Sequence, residues 1–348
     1  MRAALLYGPG DLRVAEIPRK KPAAGEVALR IRAALTCGTD VKMYLRGHPS
    51  LGGYPARFGH EFAGEVRAVG AGVSAFAPGD EVFCANSAPC GTCFQCARGR
   101  FSLCEDLLYL LGGFADEIIV PERIVSTNLH LLPPGLAMAV APMAEPLACA
   151  VHAVDRTRIQ PGDTVAVLGG GSMGLMLCAL AHRAGGRPIV LDPHPERLDL
   201  APRFGAVATV EASRGPDDVE RVRQMTDGRG AARVFEAVGR PESWELAIAM
   251  AMPGGTVNLF GGCAEGTSIR VPTARIHYEE VALQATYHHT PRHIDQALSI
   301  LAEGAFPWGD LGGLRIGLDQ LEEALSGRLG APQGVKFAVV PDRLETQE

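Results

Sequence analysis

The sequence lacks any uninterrupted apolar run of about 18 residues, the length that a membrane-spanning helix requires. Its opening segment, MRAALLYGPGDL, is apolar over only a few residues before Gly8, Pro9 and Gly10 interrupt it. That stretch is too short for the apolar region of a secretory signal. We therefore expect a cytoplasmic protein with no membrane partner.

An excess of positive charge is also lacking, and lysine is especially scarce. Lys and Arg number 33 against 39 Asp and Glu, and only four of the 33 are lysine. We attribute the scarcity of lysine to genome composition, not to function. With a formal net charge of −6, the chain offers no basic surface in excess, so nucleic acid is not an expected partner.

A disulfide framework is not expected either, because the nine cysteines are odd in number and unevenly spaced. Hydrophobic residues make up 47% of the chain and charged residues 21%, which excludes a disordered protein. A chain of 348 residues exceeds what one ordinary core holds, so we expect two domains.

Two kinds of pattern divide the chain. Residues 1–150 contain short strands broken by glycine and proline, such as VALRIRAAL, whose alternation predicts a mainly antiparallel, barrel-like domain. In residues 151–288, apolar strands alternate with helical stretches, one of them predicted over 195–204, which is typical of a parallel sheet covered on both faces. Residues 289–348 include a helix-like segment and a strand-like stretch, QGVKFAVVP, that we expect to return to the first domain. The predicted fold class is α/β, with a doubly wound parallel-sheet domain inserted in a mainly β domain.

A glycine-rich turn follows the first strand of the inserted domain. In VAVLGGGSMGLM, glycines satisfy the pattern G-x-G-x-x-G, which places backbone N–H groups against a dinucleotide pyrophosphate. Alone, the motif fits a turn without a ligand equally well. The next strand ends in Asp192, 18 residues after Gly174, where a carboxylate can accept hydrogen bonds from ribose hydroxyls. The residues predicted to form this part of the site are Gly169, Gly171, Ser172, Met173, Gly174, Asp192 and Arg197.

Asp192 also bears on the choice of cofactor, because a carboxylate there repels a 2′-phosphate. Pro193 and His194, which follow it, provide no guanidinium to offset the repulsion. We therefore expect NAD rather than NADP. Arg197 could instead stack on adenine, face solvent or help to bind a phosphate.

Four cysteines form the pattern C-x2-C-x2-C-x7-C in a loop rich in glycine and polar residues. Thiolates at this spacing can surround one tetrahedral zinc ion, and four sulfur ligands leave no position for a substrate, so the site would be structural. An iron–sulfur run of the ferredoxin type has its fourth cysteine three residues on, followed by proline, whereas here the gap is seven with Glu105 next. Two disulfides remain chemically possible. The predicted lobe spans about 84–108, and its ligands are Cys90, Cys93, Cys96 and Cys104.

A second, sparser set of metal donors consists of Cys37 in LTCGTD and His60 with Glu61 in FGHEFAG. A lone cysteine or histidine is more often a buried thiol or a core imidazole than a ligand. Together they predict a zinc ion with three protein ligands, which keeps a fourth position for an alcohol oxygen and lowers the pKa of that oxygen. Glu145, in MAEPLACAVH, is a further candidate ligand; it could also cap a helix or form an ion pair.

The segment from Gly59 to Val73 reads G-H-E-x2-G-x5-G-x2-V, and it resembles the zinc motif of the medium-chain alcohol dehydrogenases. The resemblance extends over nearly the whole chain. It implies a GroES-like catalytic domain with an inserted Rossmann domain, two zinc ions per chain, a nicotinamide cofactor, and a homodimer or homotetramer.

Carried over by position, the resemblance makes Cys37 and His60 zinc ligands and Asp40 the carboxylate that holds the other nitrogen of His60. The third ligand stays open between Glu61 and Glu145. A glutamate at 145, where the classical alcohol dehydrogenases have cysteine, places the chain nearer the polyol and threonine dehydrogenases. Cys149 is expected to pack in a helix.

The resemblance also implies a proton relay, in which the Thr39 hydroxyl passes the alcohol proton away from zinc. The family often has histidine at the position of Lys42, and lysine does not shuttle protons as imidazole does. His48 could substitute or could be a solvent-exposed loop residue. The implied catalytic residues are Cys37, Thr39, Lys42, His60, Glu61 and Glu145.

Further nucleotide contacts are implied at the ends of later strands, although glycine there could serve the turns alone. His288 and His289 could contact substrate or cap the helix that begins near Pro291. The implied nucleotide contacts are Val238, Gly239, Phe260, Gly261, Gly262, Thr286 and Tyr287.

The sequence thus predicts a zinc-dependent oxidoreductase that transfers a hydride between an alcohol or ketone and NAD. We expect a polyol first, a simple secondary alcohol second and threonine third as the substrate. The apolar stretch EDLLYLL, residues 105–111, would favour a partly hydrophobic substrate if it lined the site. A binding protein of the same fold without turnover is the alternative from another class, and an intact zinc set with Thr39 argues against it.

Overall fold

The chain forms two units in a computed structural model, which describes residues 1–329 and 336–341. The first unit consists of Met1–Pro146 together with the described residues from His289 onward, and the second is Leu147–His288. Residues 330–335 and 342–348, which belong to the predicted closing segment, lie outside the described residues.

The elements of residues 1–157 are mostly short strands. The strands are β1 Arg2–Gly8, β2 Asp11–Glu16, β3 Val27–Leu35, β4 Ala56–Arg57, β5 Glu61–Val69, β6 Glu81–Cys84, β7 Ser87–Ala88, β8 Leu108–Tyr109, β9 Glu117–Val120 and β10 Leu129–Leu131. The helices are α1 Gly38–Arg46, α2 Phe94–Ala97, α3 Glu122–Asn128 and α4 Ala144–Thr157.

The second unit alternates strands and helices. Its strands are β11 Thr164–Leu168, β12 Arg187–Asp192, β13 Ala208–Glu211, β14 Ala231–Glu236, β15 Ala251–Leu259 and β16 Ala282–Ala285. Its helices are α5 Ser172–Arg183, α6 Pro195–Leu198, α7 Pro216–Gln224, α8 Pro241–Met250 and α9 Thr273–His277. These strands pair in the order β13-β12-β11-β14-β15-β16, and every pair is parallel. Strand order reverses between β11 and β14, the position at which doubly wound sheets bind ligands.

The closing segment returns to the first unit. It contains α10 Pro291–Glu303, α11 Leu321–Leu325, β17 Arg315–Ile316 and β18 Ala338–Val339. Strand β18 pairs antiparallel with β3, within the sheet order β10-β6-β5-β3-β18-β17. Of the predicted strand QGVKFAVVP, residues 333–335 lie outside the described residues and only Ala338–Val339 are paired. The predicted fold class, a doubly wound parallel sheet inserted in a mainly β domain, is confirmed.

The core of the first unit follows from strand alternation. In β3, Val27, Leu29 and Ile31 are buried while Arg30 is exposed, as expected when successive side chains point to opposite faces of a sheet. Among the described residues, no helix combines the length and the apolar character that crossing a membrane demands.

The helix predicted over 195–204 is wrong in its extent. The α-helix ends at Leu198, and a separate 3-10 turn covers Ala201–Phe204. Pro202 explains the break, because proline has no backbone N–H to donate and its ring collides with the preceding turn of an α-helix.

Candidate active site and metal sets

Cys37 and Asp40 open helix α1. Cys37 is the N-cap residue, and its backbone N–H donates to Asp40 Oδ2 at 2.8 Å. Asp40 is fully buried in the first turn of the helix. One carboxylate therefore fixes the backbone from which the Cys37 thiol projects.

The other oxygen of Asp40 holds His60. The Nδ1 atom of His60 lies 3.1 Å from Asp40 Oδ1, and both side chains are buried. Burial alone lowers the pKa of His60, but the Asp40 carboxylate and the Cys37 sulfur outweigh it and raise that pKa well above its usual value. Since Asp40 occupies Nδ1, the Nε2 atom of His60 is the nitrogen left for a metal, as the sequence predicts.

Glu61 begins strand β5 and is completely buried. Its Oε1 atom accepts a hydrogen bond from Lys336 Nζ at 2.7 Å, and Lys336 also donates to the backbone oxygen of Thr36 at 3.1 Å. Burial raises the pKa of Glu61, although Lys336 and His60 oppose the shift. The lysine thus holds one carboxylate oxygen and leaves the other available.

The donor set fits zinc. One ligand atom each from Cys37, His60 and Glu61 lies within 4.8 Å of the others. Glu61 Oε2 is buried without a hydrogen-bond partner among the described residues, an arrangement that is costly unless something binds it. Sulfur, nitrogen and carboxylate oxygen are the ligand types that zinc prefers.

Glu145 lies in the first turn of α4 and is also buried. Its Oε1 accepts a hydrogen bond from Asn86 Nδ2 at 3.0 Å. Burial raises the pKa of Glu145 to about 7, opposed mainly by the charge of His60. The charges of His60 and Glu61 thus act on the Glu145 carboxylate, and the Asn86 amide holds one of its oxygens.

The predicted relay residues lie on or just beyond α1. Thr39 is partly buried in the first turn of the helix, two residues after Cys37, whereas Lys42 is exposed. His48 is exposed, and its Nδ1 lies 2.7 Å from Ser50 Oγ. The local contact with Ser50 favours the interpretation of His48 as a loop residue.

The four cysteines of the lobe converge. One sulfur from each lies within 4.8 Å of the others, and the sulfurs of Cys93 and Cys104 are 3.9 Å apart. Hydrogen bonds from the Thr92 and Cys93 backbone lower the pKa of Cys90 to about 6, whereas burial raises the pKa of Cys96 to about 12. A bound cation would deprotonate all four thiols, so the arrangement fits a closed tetrahedral zinc site.

We expect Cys93→Ser to remove one zinc ion per chain and to lower the melting temperature by at least about 5 °C, because a structural zinc contributes folding free energy. Metal analysis and thermal unfolding measure both effects. Cys178→Ala, which changes a buried thiol of α5 outside both metal sets, serves as the control. An unchanged zinc content in Cys93→Ser would exclude the structural site.

The glycine-rich turn connects β11 with α5. Gly169 has a φ of 104°, which favours glycine, and Gly171 is the N-cap residue of α5. A Cβ on Gly174 would collide with the carbonyl oxygen of Gly169, so glycine is required for the close approach of strand and helix. Ser172 and Met173 form the first turn of α5 and are partly buried.

Asp192 ends β12 and is 2% exposed. Its carboxylate accepts hydrogen bonds from the backbone of Gly170 at 2.8 Å and of His194 at 2.9 Å, and Arg197 pairs with it at 3.1 Å. Arg197 therefore neutralises the charge that would repel a 2′-phosphate. The electrostatic argument for NAD is weaker than the sequence alone indicates.

The remaining predicted nucleotide contacts follow the ends of β14, β15 and β16. Glu236, fully buried, accepts hydrogen bonds from the backbone of Val238 and Gly239 through its carboxylate, and from that of Phe260 and Gly261 through its carbonyl. Beyond β16, the Thr286 hydroxyl accepts from Asn258 Nδ2 at 3.0 Å, and Tyr287 and Gly262 are at least partly exposed.

The apolar stretch EDLLYLL is explained by packing. Leu110 belongs to the core of the first unit, and Leu108 and Leu111 pack against that core. The stretch therefore provides no argument for a hydrophobic substrate.

The sequence interpretation missed Lys336, Asn86 and Glu236 and left His289 between two other roles. No local pattern marks Lys336, which lies 275 residues from its partner Glu61. Glu236 is the last residue of strand β14, three residues before Gly239, a position that could have drawn attention to it.

Comparison with known proteins agrees with this geometry. The family model described as the alcohol dehydrogenase GroES-like domain matches residues 23–133, and that described as zinc-binding dehydrogenase matches residues 172–303. Sorbitol dehydrogenase of Bacillus subtilis is 33% identical over 271 residues, which cover 75% of each protein.

Two solved structures extend the comparison to almost the whole chain. A zinc-binding dehydrogenase of Sinorhizobium meliloti, solved with NADP, is 30% identical with a TM-score of 0.88, covering 98% of this chain and 99% of that one. The 2R,3R-butanediol dehydrogenase of Bacillus subtilis is 27% identical with a TM-score of 0.86 and the same coverage.

Proposed function

The chain belongs to the family of zinc-containing medium-chain alcohol dehydrogenases, and we propose that it oxidises a secondary alcohol of a polyol with NAD as hydride acceptor. Family membership, which the sequence resemblance predicts, makes the chain an alcohol oxidoreductase. The observation that carries the proposal is the buried Cys37–His60–Glu61 set, with an oxygen of Glu61 lacking any partner among the described residues.

We assign the ligands of the catalytic zinc to Cys37, His60 and Glu61. Glu61 is preferred to Glu145 because one of its carboxylate oxygens lies within 4.8 Å of the Cys37 and His60 ligand atoms and its Oε2 has no hydrogen-bond partner among the described residues. Zinc, when bound, supplies Lewis acidity toward the alcohol oxygen.

The protein residues supply orientation and proton transfer. Asp40 fixes the rotation of His60, and Lys336 fixes Glu61. Thr39 lies two residues after Cys37 at the start of α1, and its hydroxyl would take up the alcohol proton while releasing its own proton to solvent. Glu145, held by Asn86, provides a second buried carboxylate. A bound nicotinamide would supply the acceptor for the hydride of the alcohol carbon.

We favour a polyol as the substrate because the chain is similar to polyol dehydrogenases. Sorbitol dehydrogenase of Bacillus subtilis, at 33% identity, supports the same class. A simple diol is the second candidate, supported by the likeness to 2R,3R-butanediol dehydrogenase.

The test is a panel of sorbitol, xylitol, 2,3-butanediol and threonine, each with NAD and with NADP, measured by the absorbance of reduced nicotinamide. We expect turnover of a polyol with NAD, its loss after removal of zinc by a chelator, and its recovery when zinc is returned. Faster turnover with NADP would overturn the cofactor assignment and give Arg197 the role of phosphate contact. A zinc-loaded protein that oxidises no member of the panel would contradict the proposed function.

We also propose a homo-oligomer in the cytoplasm. Strand β16 is the outer strand of its sheet, and none of its residues is buried. Its unpaired backbone edge offers a surface for a second copy. No cysteine among the described residues forms a disulfide, which is compatible with a reducing compartment.

A further inference from the structure

We propose that His289, acting through Asn86, is a positioning residue that fixes the Glu145 carboxylate beside the catalytic metal set. The inference rests on the proposed function, since it concerns the orientation of a group at the same site. It assigns His289 neither of the roles that the sequence suggests, substrate contact or helix capping.

The three side chains form a buried chain of hydrogen bonds. His289 Nε2 lies 2.9 Å from Asn86 Oδ1, and Asn86 Nδ2 donates to Glu145 Oε1 at 3.0 Å. His289 is 2% exposed, and Asn86 and Glu145 are each 5% exposed. Because water does not reach these atoms freely, each polar group depends on its neighbour in the chain.

The order of donors and acceptors follows from the chemistry of the groups. In the structure the NH₂ group of Asn86 faces Glu145, as it must whenever that carboxylate is ionised and can only accept hydrogen bonds. The amide oxygen of Asn86 therefore faces His289, and Nε2 of His289 must carry a hydrogen. His289 thereby determines which way the amide of Asn86 points, and Asn86 determines where one oxygen of Glu145 lies.

The backbone at Asn86 is fixed independently of these side chains. Leu110 donates to the Asn86 carbonyl at 2.7 Å, and Ala85 donates to the Asn128 carbonyl at 3.0 Å. Asn128 Nδ2 donates in turn to the Ser87 carbonyl at 2.6 Å. Asn86 is thus held on both sides by its chain neighbours, and the remaining freedom is the rotation of its amide.

His289 is anchored in a similar way, directly before α10. Thr290 is the N-cap residue of that helix and Pro291 occupies its first turn, where the fixed φ of proline is favourable. The ring of His289 is directed to Asn86, which argues against a capping role. His293, which lies within α10 and is also buried, contacts Thr290 Oγ1 and not Asn86.

The functional consequence lies in Glu145. The 3-10 turn Ala141–Met143, which leads directly into the helix of Glu145, packs against strand β5, which begins at Glu61. The Glu145 carboxylate also interacts electrostatically with His60 and Glu61, so a rotated Glu145 would change the field at the metal set. Residues that orient the groups around a metal typically affect metal affinity or activity by about 10- to 100-fold when replaced. We expect an effect of this size from loss of the His289 contact.

The experiment compares His289→Leu, His289→Gln, Asn86→Leu and the double variant Asn86→Leu/His289→Leu, with His293→Leu as the matched control. Each protein is prepared with Co²⁺ in the catalytic set, and its visible absorption spectrum is recorded without substrate or cofactor. Steady-state kinetics are then measured with the polyol and with NAD. Glutamine can place its amide nitrogen near the position of histidine Nε2, so it should restore the donor.

We expect His289→Leu to shift the cobalt spectrum and to lower kcat about tenfold or more, while the KM for NAD stays within about twofold. His289→Gln should retain most of both properties. In the Asn86→Leu background, adding His289→Leu should have a smaller effect than in the wild type, because only the 3.7 Å approach of His289 Nε2 to Glu145 Oε1 then remains.

The proposal is overturned if His289→Leu keeps the wild-type spectrum and kcat, if His293→Leu changes them equally, or if the two leucine variants are additive. Should His289→Leu fail to fold, His289→Asn is compared with His289→Gln. Both side chains are polar, but asparagine is too short to reach Asn86, so equal behaviour of the two would contradict the proposal. The spectrum needs no turnover, so a wild-type protein that oxidised no alcohol would refute the proposed function and still leave the positioning role tested.

Discussion

His60→Ala is expected to lower kcat/KM for the alcohol by about a thousandfold or more, because it removes several kcal/mol of transition-state stabilisation. His60 supplies one of the three donors that lie within 4.8 Å of one another. Asp40 already occupies its Nδ1 atom at 3.1 Å, and alanine would leave that buried carboxylate without its partner. The dinucleotide residues belong to a different stretch of chain, so we expect the dissociation constant for NAD to change by less than about twofold.

Three measurements check this expectation: steady-state kinetics, metal analysis and titration with NAD. The variant should hold one zinc ion fewer per chain while the four-cysteine lobe keeps its own. His130→Ala is the matched control, since His130 is a partly buried histidine of β10 outside the metal sets. Undiminished turnover in His60→Ala would remove the catalytic assignment, and a loss of NAD binding would indicate a general folding defect.

The sequence indicates both sets of candidate metal donors because these donors are local or belong to a strong motif. Cys90, Cys93 and Cys96 lie within seven consecutive residues, so their convergence requires no knowledge of the sheet. His60 and Glu61 are adjacent, and the strand pairing that places Leu35 opposite Glu61 brings the start of α1 to them. The contact between Asp40 and His60, implied by the family resemblance, is observed in the structure.

The partners of these donors could not be predicted, because the fold alone brings them together. Lys336 and Glu61 are 275 residues apart, and His289 and Asn86 are 203 apart. Lys336 reaches its position because β18, two residues later, pairs with β3. A single lysine or asparagine carries no periodic signal, so sequence analysis has no means of choosing between a buried partner and a surface residue.

The error in the 195–204 helix has a different origin. The sequence interpretation followed the apolar spacing of that segment and gave too little weight to Pro202 within it. A local rule on proline would have placed the break correctly. The prediction of NAD from the charge of Asp192 had a different weakness. Arg197 pairs with Asp192, and this pairing becomes visible only once the loop conformation is known.

The second large effect is expected from Lys336→Met. Lys336 is 5% exposed and pairs with Glu61, which is 0% exposed, at 2.7 Å. Removing one partner of a buried ion pair leaves an uncompensated charge and costs about 3–5 kcal/mol. We expect the free energy of unfolding of the zinc-free protein to fall by this amount, and by less in the zinc-loaded protein, where a cation faces the other oxygen of Glu61.

The loss of stability in Lys336→Met should depend on pH, and the direction of that dependence can be worked out. Burial already raises the pKa of Glu61, and loss of Lys336 would raise it further above the value in the unfolded chain. A raised carboxyl pKa destabilises the folded state above the unfolded pKa of about 4.3, so the deficit should be largest at neutral pH and should shrink as the pH falls.

Denaturant unfolding of the zinc-free proteins at several pH values measures the deficit, with Lys21→Met, a change at an exposed lysine, as the control. Adding Glu61→Gln to Lys336→Met removes the unpaired charge, so the double variant should recover much of the stability and lose the pH dependence. If Lys336→Met were no less stable than Lys21→Met, the ion pair would not be the interaction that fixes Glu61. Glu61 Oε2 would then lack the orientation on which its assignment as third ligand depends, and Glu145 would become the stronger candidate.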